Sequence, residues 1–131
     1  GISGGGSALF CLPCPGISLQ DLQQTNELLL QSGMSITDMN IIRIQLERGK
    51  GGKFAAHAVY PSTMATLVLS DIIGDPLHFI ASGPTTAVLP SSQKDAASLL
   101  QQYQLSYNQT HPLPSPVLDI LLSSSADNDN D

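Results

Sequence analysis

The sequence predicts an α/β chain, a parallel sheet flanked by helices, on three observations. Residues 64–70, M-A-T-L-V-L-S, form a continuous apolar run, the pattern of a strand buried on both faces. Helix-period apolar stripes lie on either side of it, within 19–30, 36–48 and 92–103. Glycine loops, S-G-G-G-S at 3–7 and A-S-G-P-T at 81–85, adjoin strand positions. In open α/β sheets ligands gather beyond the carboxyl ends of the strands.

The chain has 131 residues, the length of one domain with a single core, and 41% of them are hydrophobic. No stretch approaches the ~18–20 apolar residues of a membrane span. It starts without Met, basic n-region or signal-peptide core, in a glycine-rich stretch, which suggests a segment of a longer protein. The formal charge is −6, with Asp127, Asp129 and Asp131 supplying three negatives near the end. A mildly acidic body argues against a nucleic-acid partner. The bases cluster instead of scattering: Arg43, Arg48, Lys50 and Lys53 are neighbours, and Lys94 stands apart. Cys11 and Cys14 form C-L-P-C, which reads as a redox pair, half a zinc site, or two small loop thiols. The last is favoured, because zinc needs further ligands and a thioredoxin-like pair starts a helix after a strand. Two thiols fit a reducing compartment, and the expected location is cytoplasmic, with mitochondrial the alternative for a longer parent.

In chain order, Gly1 to Ser3 reads as the stub of a strand entering the glycine loop. Residues 10–17 are a connection punctuated by Pro and Gly. Ser18 caps a helix with Asp21 at its third position, and Leu19, Leu22 and Leu29 form its stripe up to Gly33. A second helix is predicted over 36–48, with Ile36, Met39, Ile42 and Leu46 on its apolar face and Arg43 and Glu47 on the polar side. Gly49 stops it, and K-G-G-K leads into a short helix, F-A-A-H-A. After the 64–70 strand come a polar turn at 70–76 and the A-S-G-P-T-T loop. Ser92 caps a helix whose inner face is Ala96, Leu99, Leu100 and Tyr103. T-H-P-L-P-S-P is a linker, and V-L-D-I-L-L is a last short helix. The partial α/β domain is drawn at 1–122, with 123–131 a disordered acidic tail.

Three loop clusters carry the candidate chemistry. In S-G-G-G-S, Ser3, Gly4, Gly5, Gly6 and Ser7, bare backbone amides could converge on an anion, with the serine hydroxyls as further donors. The alternative is a flexible leader or tight turn. In R-G-K-G-G-K, Lys50 and Lys53 flank Gly51 and Gly52 just before a helix, so an anion would meet cations, free amides and a helix N-terminus together. The alternative is a helix–helix turn with solvated lysines. In L-S-D-I-I-G-D-P, Asp71 and Asp75 follow the strand and could bind Mg²⁺, or one could accept a proton from a substrate hydroxyl. For Asp75, before Pro76, turn and capping work is the competing reading. His57, His78 and His111 make no metal pattern, and Asn108-Gln109-Thr110 is a chance sequon without a secretory signal.

The order S-G-G-G-S-A-L, then N-x-x-R-x-x-L-x-x-x-K-G-G-x-x-A, then L-S-D-I-I-G-D-P-x-x-x-I-A-S-G-P-T resembles the class II, MOFRL-type glycerate 2-kinase family, closest to its animal members. The likeness runs from Ser3 to about Thr85 and more loosely to the helix near Leu99. The resemblance implies a three-layer Rossmann-like sheet, here partial and truncated at both ends. It further implies transfer of the γ-phosphoryl of ATP, with Mg²⁺, to the 2-hydroxyl of D-glycerate, giving 2-phosphoglycerate. Carried over by residue, Asp71 matches the aspartate of L-S-D, a base or orienter for the attacking hydroxyl, and Asp75 is the metal candidate. Lys50, Gly51 and Gly52 match K-G-G, Lys50 being taken as catalytic. Arg43 and Asn40 match polar positions of the preceding helix, Ser3 to Ser7 the glycine loop, and Ser82, Gly83 and Thr85 the S-G-P-T loop. The sequence departs from the family's R-K-x-L-S, with Ile44 after Arg43 and Glu47 in place of the serine. Gaining a carboxylate near an anion site weakens anion binding if that position faces it. Family parts expected before the glycine loop, and a second domain, are missing, so the 131 residues alone are expected to turn over little or nothing. The alternative is a non-catalytic anion-binding or interaction module, self-associating through exposed sheet edges.

Overall fold

A computed structural model describes residues 5–58, 61–70, 73–86, 92–105, 110 and 112–123, of 92–95 the backbone only. Its helices are α1 (Gly6–Leu9), α2 (Leu19–Gln31), α3 (Ile36–Gln45), α4 (Lys53–Ala56), α5 (Ser92–Gln102) and α6 (Ser115–Ser123), with a 3₁₀ turn at Ile80–Ser82. The chain divides into two units, Gly1–Leu12 with Glu47–Leu89, and Pro13–Leu46 with Pro90–Asp131.

The second unit holds the apolar core. Ser18 closes a reciprocal box at the start of α2: its Oγ accepts from the Asp21 amide at 3.1 Å, and its own amide donates to Asp21 Oδ2 at 2.8 Å. These bonds satisfy donors that a helix start leaves orphaned, while the Ser18 hydroxyl, donating to Asp21 Oδ2 at 2.6 Å, and then the Ser18 amide hold the Asp21 carboxyl below its ordinary range. Leu22, Thr25 and Leu29 are the buried face of α2, and the Thr25 hydroxyl donates back to the Asp21 carbonyl at 2.7 Å. Leu19, placed on the stripe by sequence, is 67% exposed, because the buried line starts one turn later. Ser35 caps α3 through the Asp38 amide at 3.1 Å, and Met39 and Ile42 turn inward while Ile36 stays exposed. Helix α3 packs on α5, and α2 and α6 pack on α3 and on each other. Leu46, Ala96, Leu100, Leu113, Val117 and Leu121 complete the core. Pro116 sits in the first turn of α6, where a missing N–H costs nothing. Ser92, read as the cap, is instead the first residue of α5, and its side chain is outside what is described.

Two expectations are corrected. Helix α3 stops at Gln45, not at 48, and Glu47 is 4% exposed rather than on a solvated face. The run 64–70 forms no strand: among the described residues there is none, and Leu67 and Leu69 are 100% and 98% exposed. An apolar run is buried as a strand only where neighbours take its backbone groups and both faces, and the described residues supply no such ladder.

In the first unit, the described residues that are buried are Glu47, Gly49, Lys50, Gly52, Ser82 and Gly83. Its centre is therefore polar and glycine-built, where the second unit's is aliphatic.

Candidate functional site

The K-G-G turn folds back in the left-handed region, with Gly51 at φ 59° and Gly52 at φ 77°. Residues with a Cβ adopt that conformation at a cost, so the two glycines are conformational requirements. The turn docks on the S-G-P-T loop through its backbone. Gly51 N–H donates to the Ser82 carbonyl at 2.9 Å, Gly52 N–H to the Gly83 carbonyl at 2.7 Å, and Ala55 N–H to the Pro84 carbonyl at 3.3 Å.

The partner loop is itself wound the unusual way. Ala81, Ser82 and Gly83 have φ of 51°, 62° and 58°, two of them non-glycine residues held left-handed in succession. Their turn is fixed by Ser82 N–H to the Phe79 carbonyl at 3.2 Å and Gly83 N–H to the Ile80 carbonyl at 2.9 Å. Gly83 is required twice, since a Cβ there would lie 3.0 Å from His78 Cα.

The glycine segment joins the same unit from the other end. Gly5, at φ 75°, starts α1, and α1 packs on the 80–82 turn. Gly6 and Ser7 stand in the first turn of α1, where helix amides look outward for acceptors. At the end of this segment Leu12 is tied twice: its N–H donates to Glu47 Oε2 at 2.7 Å, and its carbonyl accepts from the Arg48 N–H at 2.8 Å. Phe10 packs edge-on against Phe54, with ring centroids 5.7 Å apart, and also lies over Gly49. A Cβ on Gly49 would meet Phe10 Cε1 at 2.9 Å, which explains a glycine at that position beyond its helix-stopping role.

Glu47 is the electrostatic centre of this arrangement. Its Oε1 accepts from Lys50 Nζ at 2.8 Å, both side chains being nearly fully buried, and its backbone carbonyl accepts from Lys53 Nζ at 2.9 Å. Burial, and then the Glu47 carboxylate, push the Cys11 thiol above its ordinary value. His57 Nδ1 lies 2.6 Å from the Lys53 carbonyl, so that nitrogen carries the proton, and Nε2 faces the Arg48 guanidinium at 3.3 Å.

The structure thus brings together Gly5, Gly6, Ser7, Lys50, Gly51, Gly52, Ser82, Gly83 and Thr85, drawn from three separate stretches of sequence. Ser3, Gly4 and Asp71 lie outside the described residues. Arg43 belongs to the second unit, where its Nε donates to Asn26 Oδ1 at 2.7 Å and burial lowers the basicity of the guanidinium. Asp75 is exposed, with φ 47°, just after Gly74 at φ 85°. The described residues contain no group of three or more His, Cys, Asp or Glu side chains able to hold a metal. One expectation about K-G-G is corrected: its glycine amides are not free for an anion, because loop carbonyls already take them. The sequence marks Glu47 as a departure from the family pattern and Gly49 as a helix stop, but the contacts that they and Leu12 make at this centre are not read from it. The Glu47–Lys50 spacing of three was the available signal for the first, and none existed for the others. Beside the loops, a cleft of about 350 Å³ is lined by residues including Phe54, Met64, Leu67, Ile80, Pro84 and Thr85.

A family model described as "Domain of unknown function (DUF4147)" matches residues 1–121. The chain belongs to the DUF4147 family. This DUF4147 chain is 43% identical over 109 residues to the D-glycerate 2-kinase of Thermotoga maritima, an alignment covering 83% of the chain and 26% of that relative. It is 44% identical over 128 residues to the glycerate kinase of Rattus norvegicus, covering 98% of the chain and 23% of the relative. Among solved structures it superposes on a protein of Pyrococcus horikoshii with TM-score 0.82, at 42% identity, over 92% of the chain and 26% of that structure. The crystal structure of a Thermotoga maritima glycerate kinase matches with TM-score 0.76, at 41% identity, over 91% of the chain and 27% of that structure. The glycerate-kinase resemblance read from the three motifs is borne out, with animal relatives among the matches. The chain spans about a quarter of the length of the curated relatives it matches. No helix among the described residues is long and apolar enough to cross a membrane.

Proposed function

We propose that this DUF4147 chain supplies the loop platform of a glycerate 2-kinase, which phosphorylates D-glycerate to 2-phosphoglycerate at the expense of ATP. The observation that carries the reading is the convergence of the glycine segment, the K-G-G turn and the S-G-P-T loop in one unit whose buried residues are polar or glycine. Phosphoryl transfer asks a protein mainly for positioning and charge neutralisation, and a rigid, backbone-braced loop cluster serves the first.

In this reading the 2-hydroxyl oxygen of glycerate attacks the γ-phosphorus. The bond to the β–γ bridging oxygen breaks, ADP leaves, and Asp71 takes the hydroxyl proton. Lys50 works through the turn it holds, as a positioning residue, because its ammonium is already paired with Glu47. Gly6, Ser7, Ser82 and Thr85 face the phosphate and carboxylate groups of the two substrates. Asp75 would hold a Mg²⁺ brought with ATP, whose charge would offset that of the phosphates. Such ions take one or two carboxylates plus phosphates and water, and the exposed Asp75 fits that single-carboxylate role. The three-layer Rossmann-like sheet implied by the family resemblance needs partner strands for residues 64–70 that the described residues do not supply. The proposed location is cytoplasmic, with mitochondrial the alternative for a longer parent, a reducing setting that the Cys11 and Cys14 thiols, not joined in a disulfide, fit.

The test is the product made when this chain replaces the matching span of the Thermotoga maritima D-glycerate 2-kinase. ³¹P NMR should show phosphate on the 2-oxygen of D-glycerate. Phosphate on the 3-oxygen, or preference for another small hydroxy acid, refutes the substrate assignment.

A second reading is a non-catalytic interaction module, favoured by the exposed Leu67 and Leu69 that line the cleft. Size exclusion separates the two: concentration-dependent self-association unaffected by ATP–Mg²⁺ supports the module.

A further inference from the structure

Three acceptor sites of Glu47 are engaged at once: Oε2 by the Leu12 amide at 2.7 Å, Oε1 by Lys50 Nζ at 2.8 Å, and the backbone carbonyl by Lys53 Nζ at 2.9 Å. Lys50 and Glu47 are buried together, so the lysine of the K-G-G turn meets a carboxylate from its own chain at hydrogen-bond distance. A buried ammonium that loses its counter-ion either gives up its proton or recruits an anion from solution. We infer that Glu47 is the resident counter-anion of the K-G-G turn, occupying the Lys50 ammonium that an oxyanion ligand would otherwise take. The residue at position 47 therefore sets whether this turn binds phosphate or carboxylate groups.

The geometry supports replacement over simple addition. The carboxylate reaches Lys50 from three residues earlier, just after α3 ends at Gln45, and the turn after that helix brings it inward. Its removal by Glu47→Ser deletes one negative charge and vacates the volume of a carboxymethyl group beside Nζ. The glycine amides of the turn stay bonded to Ser82 and Gly83, so the turn retains its shape while Lys50 loses its partner. This inference rests on the proposed function only for the ligand class. Its test needs no turnover, so failure of glycerate phosphorylation leaves it standing.

The probe is inorganic phosphate, titrated by calorimetry and by thermal melts against sodium chloride of equal ionic strength. The wild-type chain should show no Lys50-dependent phosphate binding. Glu47→Ser should bind phosphate about ten-fold or more tightly than wild type, as loss of a unit charge in direct contact implies. The double variant Glu47→Ser, Lys50→Met should revert to the wild-type response. Glu47→Gln, which keeps the shape and an acceptor for the Leu12 amide, should show a smaller gain in the same direction. Wild-type phosphate binding that Lys50→Met abolishes would overturn the inference, as would no gain in either single variant. If Glu47→Ser is unfolded in chloride, phosphate should restore its fold, and failure to do so counts equally against it.

Discussion

Replacing Lys50 by Met isolates what the buried pair does for the loop platform. The substitution preserves most of the side chain's volume but removes the ammonium, leaving Glu47 Oε1 buried without its 2.8 Å donor. The Leu12 amide still reaches Oε2, so the carboxylate keeps one bond and loses its only buried salt-bridge partner among the described residues. Breaking a buried pair by removing one member costs ~3–5 kcal/mol, because the orphaned charge has been taken out of water. With a urea slope of ~1.5 kcal/mol per M, that loss moves the midpoint down by about 2–3 M. The assay is urea unfolding by circular dichroism, read beside amide exchange of Gly51 and Gly52, whose bonds to Ser82 and Gly83 report on the platform itself. The double variant Glu47→Gln, Lys50→Met leaves no orphaned charge and should recover ~2 kcal/mol relative to Lys50→Met. A Lys50→Met chain within ~0.5 kcal/mol of wild type, the range of an ordinary surface change, would refute the reasoning. So would additivity in the double variant.

Gly83→Ala should destabilise by ~1–3 kcal/mol, from the positive φ and a Cβ 3.0 Å from His78 Cα, measured as a lower urea midpoint. Ser18→Ala should cost ~1 kcal/mol by loss of the α2 cap. The Asp21 carboxyl is depressed in the folded chain by its bonds to Ser18, so its contribution is present above the ordinary Asp range and is lost as pH falls through the depressed value. Ser18→Ala should flatten that acid limb in a pH series of melts. Tyr103 donates its hydroxyl to Asp38 Oδ2 at 3.1 Å, and this bond raises the phenol above its ordinary value. Its contribution is present below the ordinary Tyr range and lost as pH rises through the raised value, so Tyr103→Phe should weaken the dependence of the melt on alkaline pH.

The helices of the second unit were legible because their signals are local. Ser18 and Asp21 sit three apart, and Leu22, Thr25 and Leu29 follow the helical period. The end of α3 was misread by the same rule. Leu46 is buried and in phase with Met39 and Ile42, yet the backbone has already left the helix there, which lets Glu47 turn inward. No periodicity distinguishes a buried residue in the last turn from one just past it. The apolar run at 64–70 signals burial only conditionally, since a strand needs neighbours and composition does not name them. The glycine clusters announced themselves by residue type, and their convergence in one unit followed the motif order. What they hold was not legible: the Gly51 and Gly52 amides satisfy carbonyls from a distant loop, and Lys50 is answered by Glu47. Partner identity at that level is a fact of three dimensions.

The central claim, that these residues form the loop platform of a D-glycerate kinase, is tested most directly by turnover of the chimera. The chain should replace the corresponding span of the Thermotoga maritima relative, with 43% identity over 109 residues defining the joins. Initial rates of ADP release with D-glycerate and MgATP should lie within about ten-fold of the parent, a shift of ~1.4 kcal/mol in the barrier, and Asp71→Asn should abolish them. A chimera that folds and binds ATP but forms no 2-phosphoglycerate would contradict the account.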